Sequence, residues 1–154
     1  HAPAMTGDWS EALEALATAG ARFIVVGAHA LAVHGVPRAT QDLDVWVEPT
    51  PENAEKVWAA LAAFGAPLEE LGITPADFVR AETVVQIGLP PNRIDVLTEI
   101  SGVGDFAAAW LARVDREFGG STVPFLGRDT LIQNKRASGR LKDLADIEAL
   151  GEEA

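Results

Sequence analysis

The stretch Asp42-Leu43-Asp44-Val45-Trp46-Val47-Glu48 decides how the chain is read. Its alternation has the period of two that marks a strand whose faces meet different surroundings. Leu43, Val45 and Val47 take one face, and Asp42, Asp44, Trp46 and Glu48 take the other. Carboxylates two residues apart on a strand point the same way, so Asp42 and Asp44 stand side by side. So close a pair repels, and one member is held protonated unless a cation bridges them. A hard divalent ion with oxygen ligands, Mg²⁺ or Mn²⁺, suits such a pair. A bare Asp-x-Asp also fits a solvated strand face, so the neighbouring sequence has to decide.

Upstream, Arg22 to Val26 is a short apolar, β-branched run and predicts a buried strand. Gly27 ends it, and Ala28 to Val33 predict a small-residue helix stopped at Gly35. Further back, Asp8 and Glu11 form a capping box for a first helix with the apolar stripe Trp9, Ala12, Leu13, Leu16 and Ala17, ended by Gly20. His1 to Ala4, ahead of Met5, read as a cloning remnant outside the fold. Downstream, Thr50-Pro51 opens a helix to about Phe64, and Thr74-Pro75 opens a shorter one.

Thr83 to Leu89 and Arg93 to Thr98 predict two strands joined through Pro90-Pro91-Asn92. A helix near Asp105 to Val114, a strand around Thr122 to Phe125, and helices at about Asp129 to Ala137 and Arg140 to Leu150 complete the chain. This order predicts an α/β (α+β) fold, a small mixed sheet with helices packed on it. It forms one domain over 5–154, with 126–150 as a C-terminal helical part. A third carboxylate enters here. In Arg93-Ile94-Asp95-Val96-Leu97, Asp95 faces away from Ile94 and Val96, so three acids on two strands could converge on a metal pair.

Composition bounds the partners. There are 154 residues, no cysteine, and 12 basic against 23 acidic residues, a net charge of −11. Thiol chemistry and cysteine-bound zinc are excluded. Bulk electrostatics repel nucleic acid and anionic membranes. The longest nearly apolar run, Phe23 to Val36, is too short for a bilayer and carries His29 and His34. No signal-peptide pattern opens the chain, so the expected compartment is the cytoplasm. Five of the 12 basic residues (Arg128, Lys135, Arg136, Arg140 and Lys142) cluster near the C-terminus and offer charge to an anionic substrate.

The run GAHALAVHGVPRATQDLD, Gly27 to Asp44, resembles the signature of the polymerase-beta-like nucleotidyltransferase superfamily. There a glycine turn at a helix start precedes an Asp-x-Asp strand. The Gly-x-His-Ala…His-Gly-x-x-Arg-x-Thr-x-Asp-x-Asp spacing resembles a bacterial branch containing abortive-infection (AbiEii-like) toxin nucleotidyltransferases. The resemblance covers Phe23 to Thr98, and Lys135 to Leu150 more loosely. It implies Asp42 and Asp44 as metal ligands and Asp95 as general base or further ligand. It also implies the Gly27 turn with Ala28 as the phosphate receiver. Ala28 stands where many members have serine, so that hydroxyl is missing.

His29 and His34 fit either structural hydrogen bonding or contact with phosphate or acceptor. Arg38 and Thr40 could orient Asp42 or touch phosphate, or Arg38 could pair with an aspartate. Lys135 and Arg136 are candidate phosphate partners, with Lys135 expected to reach towards the Gly27 turn. Asp143 and Asp146 share a helix face, expected to be solvated with local pairing to Arg140 or Lys142. The function expected is transfer of a nucleoside monophosphate from an NTP, with Mg²⁺ or Mn²⁺, to an acceptor hydroxyl on a small molecule, a protein or an RNA end. The alternative is a catalytically weak nucleotide-binding or interaction module of the same fold, paired with a partner protein of a toxin–antitoxin system.

Overall fold

The computed structural model describes residues 9–154. His1 to Ala4 and the expected cap Asp8 lie outside the described residues. The elements run in chain order α1 (Trp9–Thr18), β1 (Phe23–Val26), α2 (Gly27–Val33), β2 (Asp42–Val47) and α3 (Pro51–Phe64). After a 3₁₀ turn at Pro75–Phe78 come β3 (Val84–Ile87), β4 (Arg93–Leu97), α4 (Phe106–Leu111), β5 (Val114–Phe118), β6 (Ser121–Phe125), α5 (Arg128–Ser138) and α6 (Leu141–Ala149). The six strands form one mixed sheet in the order β3-β4-β2-β1-β6-β5. This is the α/β architecture the sequence predicts. No helix among the described residues is long and apolar enough to cross a membrane.

Local chemistry sets the boundaries. The Thr50 hydroxyl accepts from the Asn53 amide at 3.3 Å, Pro51 opens α3, and Gly65 closes it in the left-handed region. Asn53 is buried and ties β1 to β2. Its Nδ2 donates to the Arg22 and Glu48 carbonyls while its Oδ1 accepts from the Arg22 amide. The expected helix to Val114 ends at Leu111, and Val114 instead opens β5. The hairpin β5–β6 turns on Gly119-Gly120, both at positive φ, the two-residue turn whose twist matches the strands.

The sheet has two unlike faces. Leu43, Val45 and Val47 of β2, with Ile94 and Val96 of β4, pack in a core beneath α1 and α3. On the other face Ile24, Val26 and Trp46 pack with Leu31, Phe106, Leu131 and Ile147 from α2, α4, α5 and α6. That second cover stops short of the β4–β3 half, where Val84 and Gln86 remain exposed. A sheet packed on both sides except at one corner leaves that corner free for chemistry.

Candidate functional site

Parallel pairing of β2 with β4 puts Asp42 opposite Arg93 and Asp44 opposite Asp95. In-register neighbours share a face, so the three carboxylates stand together beside the edge of the second core. Arg93 spans two of them. Its Nη2 donates to Asp42 Oδ2 at 3.0 Å and to Asp95 Oδ2 at 3.2 Å. Its Nε lies 3.1 Å from Asp95 Oδ1, an ion pair whose alignment falls short of a hydrogen bond. Among the described residues Asp44 makes no ion pair, and it shares a side-chain hydrogen bond with Asp95. Burial, then the charges of Asp95 and Asp42, push its carboxyl up to about 6, with Arg93 and Lys135 opposing. Asp95 is also raised, chiefly by burial, against the pull of Arg93.

Gly27 ends β1 at a φ of +68°, where a side chain is strained, and a Cβ there would run into the Asp44 carboxylate. The Asp44 carboxylate therefore sits directly over the first turn of α2. Thr40 fastens the start of β2, its hydroxyl accepting from the Asp42 amide at 3.1 Å and lying 3.0 Å from the Asp42 carbonyl.

A cavity of about 460 Å³ opens over this corner. Gly27, Ala28, Thr40, Asp42 and Asp44 line it together with Arg38, Lys135, Arg140, Lys142 and Asp146. Lys135 thus shares the cavity with Gly27, but it is not a free cation. Its Nζ lies 3.1 Å from Asp146 and 3.5 Å from Asp143. Arg38 pairs with Asp146 rather than with Asp42, and Arg140 grips Asp143 with its Nε at 2.7 Å. The expected solvated face of α6 is instead a buried charge network, because Asp143 is fully covered and Asp146 nearly so. Such charges are tolerated inside only when paired and hydrogen-bonded.

Other expectations are redistributed. Arg128 binds the Leu150 carbonyl and Glu152, and Arg136 the Glu153 carbonyl; neither lines the cavity. His34 Nε2 hydrogen-bonds the Leu126 carbonyl at 2.7 Å, tying α2 to the end of β6. His29 sits edge-on between Trp9 and Phe118, away from the cavity lining, and burial lowers its pKa against a hydrogen bond its ring donates to the Asp42 backbone carbonyl. Neither histidine lines the cavity. The role of Arg93 and the pairing of Asp146 with Arg38 and Lys135 escaped the sequence reading, although Arg93 shares with Asp95 the same two-residue spacing as the Asp42–Asp44 pair; the expected local pairing of Asp143 with Arg140 is present.

Among the described residues no three His, Cys, Asp or Glu side chains form a ready metal cage. Magnesium, however, commonly takes one or two carboxylates and completes its shell with water and substrate phosphate. Asp42 and Asp44 fit that use: they give an oxygen-only donor pair, one of them outside any ion pair among the described residues and resisting ionisation.

No protein-family model matches the chain, and no curated protein matches it. A solved structure does. A Thermotoga maritima protein described as a "putative nucleotidyltransferase" is similar at a TM-score of 0.59 and 15% identity, with 92% of this chain and 87% of that one covered. The fold is nucleotidyltransferase-like. The match bears out the architecture expected from Gly27 to Asp44 and does not extend to the abortive-infection branch.

Proposed function

We propose that the chain is a metal-dependent nucleotidyltransferase that moves a nucleoside monophosphate from an NTP to an acceptor hydroxyl. The observation that carries this reading is the in-register pairing of Asp44 with Asp95 beside Gly27, where Asp44 lines a cavity that Arg38, Lys135, Arg140 and Lys142 also line. Asp42 and Asp44 would hold Mg²⁺ or Mn²⁺, which when bound neutralises phosphate charge and aligns the oxygens of an in-line displacement. Gly27 lets the Asp44 carboxylate stand against the α2 turn, and Ala28 leaves the phosphate contacts there to backbone N–H groups.

Lys142 would balance the triphosphate's charge in this cavity, with Lys135, Arg38 and Arg140 contributing from their pairs with Asp143 and Asp146. Asp95 accepts the acceptor's hydroxyl proton. As that oxygen bonds to the α-phosphorus, the bond to pyrophosphate breaks and pyrophosphate leaves with the electron pair. A raised carboxyl pKa makes Asp95 a stronger base for this step.

The test is binding and transfer with α-³²P-labelled NTPs and Mg²⁺. Asp95→Asn should keep Mg²⁺·NTP binding and lower transfer by about 10²–10⁴-fold. A parent protein that binds no NTP with any divalent ion would overturn the reading. Ala28, together with Arg93 tying up Asp42 and Asp95, favours the second reading, a nucleotide-binding module that acts through a partner protein. Firm NTP binding without transfer would select it.

A further inference from the structure

The backbone of Asp42 lies where a strand is missing. In an antiparallel pair, alternate residues of a strand turn their N–H and C=O groups to the same neighbour. The Glu48 amide donates to the Arg22 carbonyl at 3.2 Å, so Glu48, Trp46, Asp44 and Asp42 are the residues that turn these groups to the β1 side. The pairing runs to Val26 opposite Asp44, and its continuation would set Asp42 opposite Ala28. Instead the chain turns at Gly27 into α2. The Asp42 amide and carbonyl therefore need partners that β1 does not supply.

Two side chains supply them. The Thr40 hydroxyl accepts from the amide at 3.1 Å and lies 3.0 Å from the carbonyl. From α2 the His29 ring donates to the same carbonyl. That ring meets Trp9 and Phe118 edge to face, with centroids 4.9 Å and 5.8 Å away. Its Nε2 is buried and has no hydrogen-bond partner among the described residues, so Nδ1 is the nitrogen that donates. In this aromatic box phenylalanine would pack without leaving a bare nitrogen, so what the imidazole adds is the bond to Asp42. On the far side of β2, Arg93 Nη2 draws the Asp42 carboxylate at 3.0 Å. His29 and Thr40 resist that pull from the β1 side.

We propose that His29 is a positioning residue of the metal site: it stands in for the absent β1 neighbour, holds the Asp42 peptide, and so keeps the Asp42 carboxylate beside that of Asp44. The proposal rests on the reading above for its ion, which those two carboxylates would hold. His29 lines no part of the cavity and acts through Asp42 alone. Because Gly27 and His29 share one short helix, α2 sets both carboxylates, Asp44 against its first turn and Asp42 through its ring. Groups that orient a metal ligand from behind typically change metal affinity by about 10–100-fold when removed, without being ligands themselves.

Two variants part this role from packing. His29→Phe keeps a ring between Trp9 and Phe118 and removes the donor. His29→Asn keeps a donor close to the place of Nδ1 and removes the ring. In calorimetric titration of the full chain with Mn²⁺, His29→Phe should bind about 10–100-fold more weakly than the parent while its unfolding temperature holds. His29→Asn should recover most of that affinity although it unfolds at a lower temperature. The proposal is overturned if His29→Phe binds Mn²⁺ as the parent does, or if His29→Asn binds as weakly as His29→Phe. A measurement on the parent does not depend on how either variant folds. Long-range ¹H–¹⁵N spectra should place the His29 proton on Nδ1, the ring being assigned by its proximity to the Trp9 and Phe118 ring protons. A proton on Nε2 overturns the proposal as well. Calorimetry with Mg²⁺·NTP separates the two readings. Mn²⁺ binding without NTP binding in the parent sinks the transferase reading and leaves His29 its place at a metal site. NTP binding with both variants at parental Mn²⁺ affinity sinks the His29 assignment alone, and a parent that binds no Mn²⁺ sinks both.

Discussion

Gly27 and Asp44 are fitted to each other: the missing side chain of one is the space that the carboxylate of the other occupies. The left-handed backbone at Gly27 and the close approach of Asp44 Oδ2 are separate demands, and glycine meets both. Gly27→Ala should therefore cost about 1–2 kcal/mol from backbone strain, with a further loss as Asp44 is pushed aside. Thermal unfolding reads the first effect and Mg²⁺ titration the second. Unchanged values in both would mean that the turn relaxes freely.

Asp44 makes the metal-free protein pH-sensitive. Its carboxyl titrates at about 6 in the folded chain, against 3.8 ordinarily. The folded state thus binds the proton more tightly, a contribution fully present below about pH 4 and lost as pH rises through 6. Asp44→Asn should remove that loss and stabilise the chain above pH 6 by about 1–2 kcal/mol, after discounting for solvent. Asp42→Asn should bring no such gain, because Asp42 is already paired with Arg93. Urea unfolding at pH 4.5 and 7.5 compares the three proteins.

Mg²⁺ should raise the unfolding temperature of the parent, and more at pH 7.5 than at pH 5, where protons compete for Asp44. Asp42→Asn with Asp44→Asn should abolish the response, and a chelator should reverse it in the parent. Equal shifts in parent and double variant would place the ion elsewhere.

Lys135 is a structural cation as well as a cavity wall. Lys135→Ala leaves Asp143 and Asp146 covered with one cation fewer, and breaking such a buried pair costs about 3–5 kcal/mol. Denaturant unfolding should show that loss without NTP present. Lys142→Ala, at an exposed cavity position, should weaken NTP binding and leave stability unchanged within about 0.5 kcal/mol.

Much of this architecture is legible in periodicity. The alternation in β2 assigns Leu43, Val45 and Val47 to one core, and Asp95 between Ile94 and Val96 falls on the carboxylate face. What escaped depended on partners distant in sequence. Whether Lys135 meets phosphate or Asp146 is decided by how α5 crosses α6, which no local pattern records. β5 escaped because Asp115, Arg116 and Glu117 give it no apolar alternation, and the stretch between Val114 and Thr122 has no assignment in the sequence reading. An edge strand carries such charges to discourage further pairing, and Gly119-Gly120 was the available signal for its hairpin.

The register between β2 and β4 has a further consequence. A slip of one residue would turn Asp95 into the core and expose Ile94 or Val96 at the corner, so the apolar packing forbids it. The alignment of the acids is thus inherited from residues that never touch a substrate. Volume changes at Val45 or Val96 are then a route to altering the spacing of the carboxylates while every one of them stays in place, and natural drift in the core becomes a quiet regulator of the corner above it.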